Sequence, residues 1–238
     1  MKKKIILKSS ILAVAAGLSV FAINSVFADE LPVQFMGVND FHGALEQTGT
    51  ARLEGETVKN AGTAPLLATY LNDSQKDFET ENAGTPNASI RVQAGDMVGA
   101  SPANSALLQD EPTVKVFNEM NFEYGTLGNH EFDEGLGEFN RIMKGEAPTP
   151  GQFNKIVDEY PHEASKQEIV IANLVDKDTN KIPFDWKPYT IKEIPVNDKT
   201  VKVGFIGVVT TEFPNLVLRK NHEQYRVLDE AESIAKYA

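Results

Sequence analysis

The sequence contains no cysteine, and it has one tryptophan and four histidines among 238 residues. Without cysteine there is no disulfide and no thiolate ligand, so any bound metal must be held by nitrogen and oxygen atoms. Basic residues are also scarce, with 23 lysines and arginines against 34 aspartates and glutamates. An acidic surface repels polyanions, so the composition argues against binding of a nucleic-acid polymer through a basic patch.

Long hydrophobic runs are absent except at the amino terminus. Three lysines follow Met1, a mostly apolar run spans 11–23, and Val26-Phe27-Ala28 suits a small-residue cleavage site. We expect 1–28 to be a secretory signal peptide. The alternative is an uncleaved anchor, but the run is shorter than the ~20 apolar residues that a spanning helix needs. Cleavage removes four lysines and no acid, which leaves a net charge of about −15. We therefore expect a protein that is secreted or at the cell surface, without a transmembrane segment after cleavage.

Apolar periodicity predicts alternating strands and helices in 29–238. Strands are predicted at 33–38, 89–94, 123–127 and 168–174, helices at 63–78 and 112–120, and two strands in 189–209 joined by a turn at Asn197-Asp198. Surface loops are predicted at 48–62 and 80–88, and a polar excursion with one short helix at 144–167. The β-α-β-α-β order implies a sheet of parallel strands whose carboxyl ends lie along one edge.

Polar side chains follow each of the first three predicted strands. In chain order they are Asp40 and His42, then Asp96, then Asn129, His130 and Asp133. Ligands of open α/β sheets bind outside the carboxyl ends of the strands. Carboxylates, imidazoles and amide oxygens suit divalent ions such as Zn, Mn or Mg, and paired ions can clamp a phosphate. Each residue alone would be more typical of a turn, a helix cap or a structural histidine, but together they predict a metal site.

Four further residues are of types that occur in functional sites, but their positions in the sequence do not favour a functional role. His162 and His222 lie in polar segments, so we expect both to be solvated. Asn173 follows an apolar run and is expected to be structural, and Trp186 is expected to pack and not to stack on a base.

The motifs NDFHG (39–43), AGDMVGASP (94–102) and LGNHEFDEG (127–135) resemble the first three signature blocks of the calcineurin-like metallophosphoesterases. The closest resemblance is to the secreted bacterial 5′-nucleotidase and 2′,3′-cyclic-nucleotide phosphodiesterase family. The residues between the blocks and the later VKVGFIGVVTTE (201–212) resemble that family as well. The resemblance therefore covers essentially all of 29–238.

The resemblance implies an α/β fold, a four-layer α-β-β-α sandwich. It also implies hydrolysis of phosphate esters of extracellular nucleotides by water that two divalent metal ions activate. Four residues would be metal ligands, the first two on one ion, the third bridging and the fourth on the other ion: Asp40, His42, Asp96 and Asn129. Asn129 and His130 would contact the substrate, and Asp133 would orient the catalytic imidazole of His130.

The sequence departs from the family pattern after 201–212. Family members continue with two more histidine-bearing blocks and a C-terminal nucleotide-binding domain, and 213–238 matches neither. We therefore expect 29–238 to be the amino-terminal part of a metallophosphoesterase domain, with the fold incomplete at the C-terminus. The alternative function is that of a non-catalytic fragment, at most a metal-binding or surface protein. Attachment to the cell wall stays open, because a sorting signal would lie beyond residue 238.

Overall fold

The computed structural model describes residues 31–238 and contains both strands and helices. The strands are β1 (Val33–Val38), β2 (Gly49–Leu53), β3 (Glu56–Ala61), β4 (Ala88–Gln93), β5 (Tyr124–Gly125), β6 (Glu168–Ile169), β7 (Leu174–Asp176), β8 (Tyr189–Val196), β9 (Lys199–Ile206) and β10 (Tyr225–Val227). The helices are α1 (Ala64–Glu81), α2 (Ala103–Ala106), α3 (Glu111–Glu119), α4 (Leu136–Lys144), α5 (Lys155–Asp158), α6 (Arg219–His222) and α7 (Glu230–Tyr237). The predicted signal peptide, 1–28, lies outside the described residues.

The central sheet has the order β1-β4-β5-β6, and every neighbouring pair in it is parallel. This arrangement confirms the predicted α/β class and places the carboxyl ends of β1, β4 and β5 on one edge. The helices α1 and α3 connect these strands where the periodicity predicted helices. Thr63 caps α1 by accepting the N–H of Leu66 at 3.4 Å, and Pro65 and Pro112 lie in the first turns of the two helices.

The predicted strand at 168–174 is wrong in extent, because the chain leaves the central sheet after Ile169. The N–H of Ile171 donates to the carbonyl of Lys187 at 2.9 Å, and that of Ala172 donates to the carbonyl of Gly207 at 2.7 Å. The end of the apolar run forms β7, which pairs antiparallel with β10. The run is apolar because it is buried on all sides, and periodicity alone cannot separate such a segment from one long strand.

The predicted loop at 48–62 is also wrong, since β2 and β3 form an antiparallel hairpin there. Glu54 and Gly55 make its turn with φ of 50° and 88°, the left-handed pair that a two-residue hairpin turn requires. The second hairpin, β8 with β9, turns at Asn197 and Asp198 as predicted. The other predicted loop is confirmed in shortened form, because α1 runs to Glu81 and β4 begins at Ala88.

Helices cover one face of the central sheet and the β8–β9 hairpin covers the other. On the hairpin side, Ile194 and Val196 pack against Ile90 of β4, and the ring of Phe205 stacks on Tyr124 with centroids 4.4 Å apart. On the helical side a larger core contains Met36, Leu71, Val114, Phe117 and Phe139. The succession helix, sheet, hairpin agrees with the α/β fold that the resemblance implies. Within residues 31–238 no helix has the length and hydrophobicity of a membrane span.

Asn173 and Trp186 have the structural roles that we expect. Asn173 is fully buried, donates to the carbonyl of Val209 at 2.7 Å and accepts the Val209 N–H at 2.9 Å. Trp186 packs against Phe139 and Phe184. Both residues therefore stabilise the fold.

The prediction that His162 is solvated is wrong, because its Nδ1 lies 2.6 Å from Glu111 Oε2 in the interior. Glu111 also accepts from Arg141 at 2.9 Å, and Arg141 makes a second ion pair with Glu138 at 2.7 Å. We call Glu111, Glu138, Arg141 and His162 the Arg141 cluster. His222 is half-buried with its ring 5.5 Å from that of Phe213, so it too is not simply solvated.

Candidate metal centre

The loops after β1 and β4 run side by side beyond the end of the sheet. The N–H groups of Asp40, His42 and Gly43 donate to the carbonyls of Gly95, Asp96 and Met97 at 3.2, 3.0 and 3.1 Å. The two loops therefore stay hydrogen-bonded to each other beyond the end of the strands. This pairing brings the first two predicted motifs together at the predicted edge.

His42, Asp96 and His130 form a group with one ligand atom from each within 4.8 Å of the others. The two imidazole rings meet edge to face with centroids 4.7 Å apart. Asp40 lies beside this group, with Oδ1 3.8 Å from His42 Nε2, and faces solvent. Asn129 immediately precedes His130 and is half-buried at the start of the helical turn His130–Phe132. All the predicted ligands thus lie at one edge, and His130 joins the group of candidate ligands.

The tautomer of His42 follows from its hydrogen bond. Its Nδ1 lies 2.9 Å from the carbonyl oxygen of Gly99, which can only accept, so Nδ1 carries the proton. Nε2 is therefore the ring nitrogen that remains for a metal, and it lies 3.8 Å from Asp40 Oδ1. A backbone carbonyl that fixes the second ring nitrogen is the usual support of a metal-binding histidine.

His130 is held by Asp133, whose Oδ2 lies 2.7 Å from Nδ1. Burial by itself lowers the pKa of His130. The hydrogen bond and the negative charge of Asp133, together with the charges of Asp96 and Glu131, outweigh burial, so the pKa of His130 lies above its ordinary value. The backbone N–H of His130 also donates to Asp96 Oδ1 at 2.9 Å, which links the loop after β5 to the loop after β4.

Three of the candidate ligands adopt backbone conformations that L-residues rarely adopt. The φ angles of Asp40, His42 and Asp96 are 53°, 48° and 52°. Left-handed conformations of residues other than glycine cost on the order of 1 kcal/mol each and concentrate at functional sites. Their coincidence at one sheet edge supports a site built for binding.

Glu131 belongs to this site but was missed by the sequence analysis. Its carboxylate is 2% exposed and accepts the N–H groups of Asp96, Met97 and Gly128 at 3.0, 2.8 and 2.6 Å. Burial is the larger effect on this group and raises the pKa of Glu131 to about 7, against the hydrogen bonds that lower it. The carboxylate of Glu131 therefore links the loop after β4 to the loop after β5. A glutamate inside the GNHE motif gives no local sign of such burial.

Gly99 occupies a position that no larger residue could take. A Cβ there would lie 2.6 Å from the carbonyl oxygen of His130 and 2.7 Å from Asp133 Oδ2, and its φ is 77°. The backbone of Gly99 consequently touches His42 on one side and the His130–Asp133 pair on the other. Only glycine lets these two halves of the site approach each other so closely.

The donor set fits a divalent transition metal or magnesium. Imidazole nitrogen and carboxylate oxygen are borderline and hard ligands, and the chain has no thiolate that would select softer ions. The nearby carboxylates of Asp40 and Asp96 supply negative charge for a cation. The residues of this edge could therefore hold a metal ion.

Related sequences match most of the chain. The cell wall protein Lmo0130 of Listeria monocytogenes is 53% identical over 212 residues, which are 89% of this chain and 26% of that protein. Endonuclease YhcR of Bacillus subtilis is 35% identical, over 88% of this chain and 16% of its own length. The 2′,3′-cyclic-nucleotide 2′-phosphodiesterase/3′-nucleotidase of Salmonella typhimurium is 32% identical over 133 residues, 51% of this chain and 17% of that protein. The chain thus spans about a quarter or less of these relatives' lengths.

Solved structures share the fold. NAD nucleotidase of Haemophilus influenzae superposes with a TM-score of 0.60 at 22% identity, over 86% of this chain and 31% of that one. The calcineurin-like phosphoesterase YfkN of Bacillus subtilis superposes with a TM-score of 0.57 at 24% identity, over 85% of this chain and 55% of that one. No family model matches the chain.

The relatives, the shared fold and the three motifs at the sheet edge point to one family of hydrolases. The chain belongs to the calcineurin-like metallophosphoesterases, in the family of the 5′-nucleotidases and 2′,3′-cyclic-nucleotide phosphodiesterases.

Proposed function

We propose that the protein from which this chain comes hydrolyses phosphate esters of nucleotides with two divalent metal ions. The observation that carries the proposal is the convergence of His42, Asp96 and His130 from three successive strand ends. Asp40 and His42 would hold the first ion, Asp96 would bridge, and Asn129 would bind the second. Bound ions of this kind lower the pKa of a water and offset phosphate charge.

His130 is the proposed catalytic residue. Asp133 holds its Nδ1, so Nε2 is the nitrogen that is free to meet the substrate. The raised pKa of His130 favours the protonated ring, which can donate to a phosphoryl oxygen or to the leaving group. Asp133 orients the ring and stabilises its charge. Asn129, next to His130, would contact the phosphate as well.

We propose nucleotides as the substrates because related proteins are named for their action on nucleotides. The Salmonella relative is named a cyclic-nucleotide phosphodiesterase and nucleotidase. The Bacillus relative is named an endonuclease, but the acidic composition of this chain opposes binding of a polymer. We therefore propose small nucleotides, and not nucleic acid, as the partners of this site.

The site of action is proposed to be outside the cell. The support is the amino-terminal pattern of 1–28 and a relative that is named a cell wall protein. Residues 29–238 would form the amino-terminal part of the metallophosphoesterase domain. The alternative function is that of a non-catalytic metal-binding or surface fragment.

The first prediction is that the full-length gene product releases phosphate from AMP only in the presence of a divalent metal. Purified protein is treated with a chelator, dialysed and assayed with and without added Mn²⁺ or Zn²⁺. A DNA oligonucleotide serves as the polymeric substrate and should be cut far more slowly than AMP. Undiminished turnover of AMP after complete metal removal would contradict the two-metal mechanism.

A further inference from the structure

We propose that Asp110 is a positioning residue that holds the loop at Gly99 and, through Gly99, sets the orientation of His42. The inference rests on the proposed metal site. Asp110 lies at the start of α3, and neither the motifs nor the ligand set includes it. Three features of its surroundings support the proposal.

The first feature is that the side chain of Asp110 does not cap α3. An aspartate directly before a helix usually accepts an N–H from the first turn of that helix. The side chain of Asp110 makes no such bond, and its backbone has a left-handed φ of 59°. Its Oδ2 instead accepts the N–H of Gly99 at 3.1 Å. The side chain thus supports the loop and not its own helix.

The second feature is that Gly99 passes this restraint on to the metal ligand. Its N–H is held by Asp110, and its carbonyl accepts the Nδ1–H of His42 at 2.9 Å. A carbonyl that holds one ring nitrogen determines where the other nitrogen points. The direction of His42 Nε2 therefore depends on the position of the Gly99 peptide.

The third feature is a cavity beside the loop. Gly99, Ala100, Ser101 and Asp110 line a space of about 110 Å³, which reaches the His130–Asp133 pair. On this side of the Gly99 loop, side-chain packing therefore leaves open space. A loop that borders open space needs a specific bond to stay in one position, and the bond from Asp110 provides it.

The test compares two substitutions of Asp110 in the full-length gene product. Glycine accepts the left-handed backbone but removes the acceptor, whereas asparagine accepts the same backbone and keeps a side-chain oxygen. Asn121→Gly is the matched control, because Asn121 also has a left-handed φ of 54° and is exposed. Mn²⁺ affinity is measured by titration calorimetry, and folding is monitored by thermal melting.

We expect Asp110→Gly to bind Mn²⁺ about 10- to 100-fold more weakly, as losses of such supporting bonds usually do. Asp110→Asn and Asn121→Gly should bind like the wild type, and all variants should melt cooperatively. Wild-type affinity in Asp110→Gly would overturn the inference, and so would an equal loss in Asp110→Asn, which would implicate charge and not the bond. If the wild type itself binds no Mn²⁺ or Zn²⁺, the proposed metal site fails instead.

Discussion

At the scale of single residues, the two histidines of the candidate centre differ in what holds them. His42 is fixed through Nδ1 by the neutral carbonyl of Gly99, which leaves Nε2 as the nitrogen that could bind a metal. His130 is fixed by a carboxylate, which favours the charged ring. A metal ligand needs a lone pair and a proton donor needs a proton, so these supports match the different roles proposed for the two rings.

The second prediction separates the roles of His130 and Asp96 in the full-length gene product. His130→Ala should lower kcat by roughly two to four orders of magnitude with little change in metal content, because it removes a proton donor. Asp96→Ala should lose metal, because a bridging carboxylate serves both ions. Metal content is measured by atomic emission, with Asp198→Ala in the exposed hairpin turn as the control. Equal metal loss in both variants would make His130 a ligand, which its place beside His42 and Asp96 allows.

At the scale of elements, the Arg141 cluster joins α4 to α3. Arg141 is 9% exposed at its side chain and Glu111 is 4% exposed, so their ion pair is shielded from water. Arg141 also donates through Nε to both carboxylate oxygens of Glu138, and its Nη1 donates to the carbonyl of Glu146. Asp110 directly precedes α3, and Asp133 lies just before α4. The cluster therefore fixes the two helices that Asp110 and Asp133 precede.

The third prediction compares a buried and an exposed arginine. Arg141→Ala should lower the free energy of unfolding by about 3–5 kcal/mol, because it removes the arginine that pairs with two shielded carboxylates. Glu111 would then keep its bond to His162, and Glu138 would lose its arginine partner. Arg219→Ala is the matched control, since Arg219 pairs with Glu223 at 3.2 Å but is 87% exposed. It should change stability by less than about 1 kcal/mol. Denaturant titration measures the free energy of unfolding of both variants. Similar losses in the two would show that the Arg141 cluster stabilises the fold no more than an exposed ion pair does.

At the scale of the whole molecule, the β8–β9 hairpin has one covered and one open face. Ile194 and Val196 point into the core, whereas Tyr189 and Ile191 are 41% and 47% exposed on the other face. The ring of Tyr237 in α7 lies 5.9 Å from that of Tyr189, which extends the apolar surface. Exposed apolar surface of this kind favours association.

The fourth prediction concerns 29–238 expressed alone. Asp40, His42, Asp96 and Asn129 would give each ion only two or three protein ligands, at or below the usual three of a catalytic zinc site. We expect weak binding of Mn²⁺ and Zn²⁺, poor solubility and no turnover of AMP. Light scattering and metal titration of this segment, beside the full-length gene product, measure these properties. Turnover close to that of the full-length protein would show that the ligand count is wrong.

The sequence alone determined the order of the main elements of the central sheet, because periodicity and turn chemistry act between near neighbours. It therefore predicted β1, α1, β4, α3 and the hairpin turn at Asn197. It also predicted that three motifs lie at one edge, since parallel strands align their carboxyl ends. It missed the hairpin at Glu54-Gly55, because Glu-Gly is not among the Asn-Gly, Asp-Gly and Gly-Gly pairs that signal a two-residue hairpin turn.

Only the tertiary structure decided which polar groups support that edge. Glu131 bonds to Asp96 across 35 positions of the chain, and His162 meets Glu111 across 51. No local pattern encodes such pairs, because each depends on how separate loops and helices pack. A carboxylate or imidazole in a polar stretch of sequence gains such a supporting role only when packing removes it from water and places hydrogen-bond partners around it.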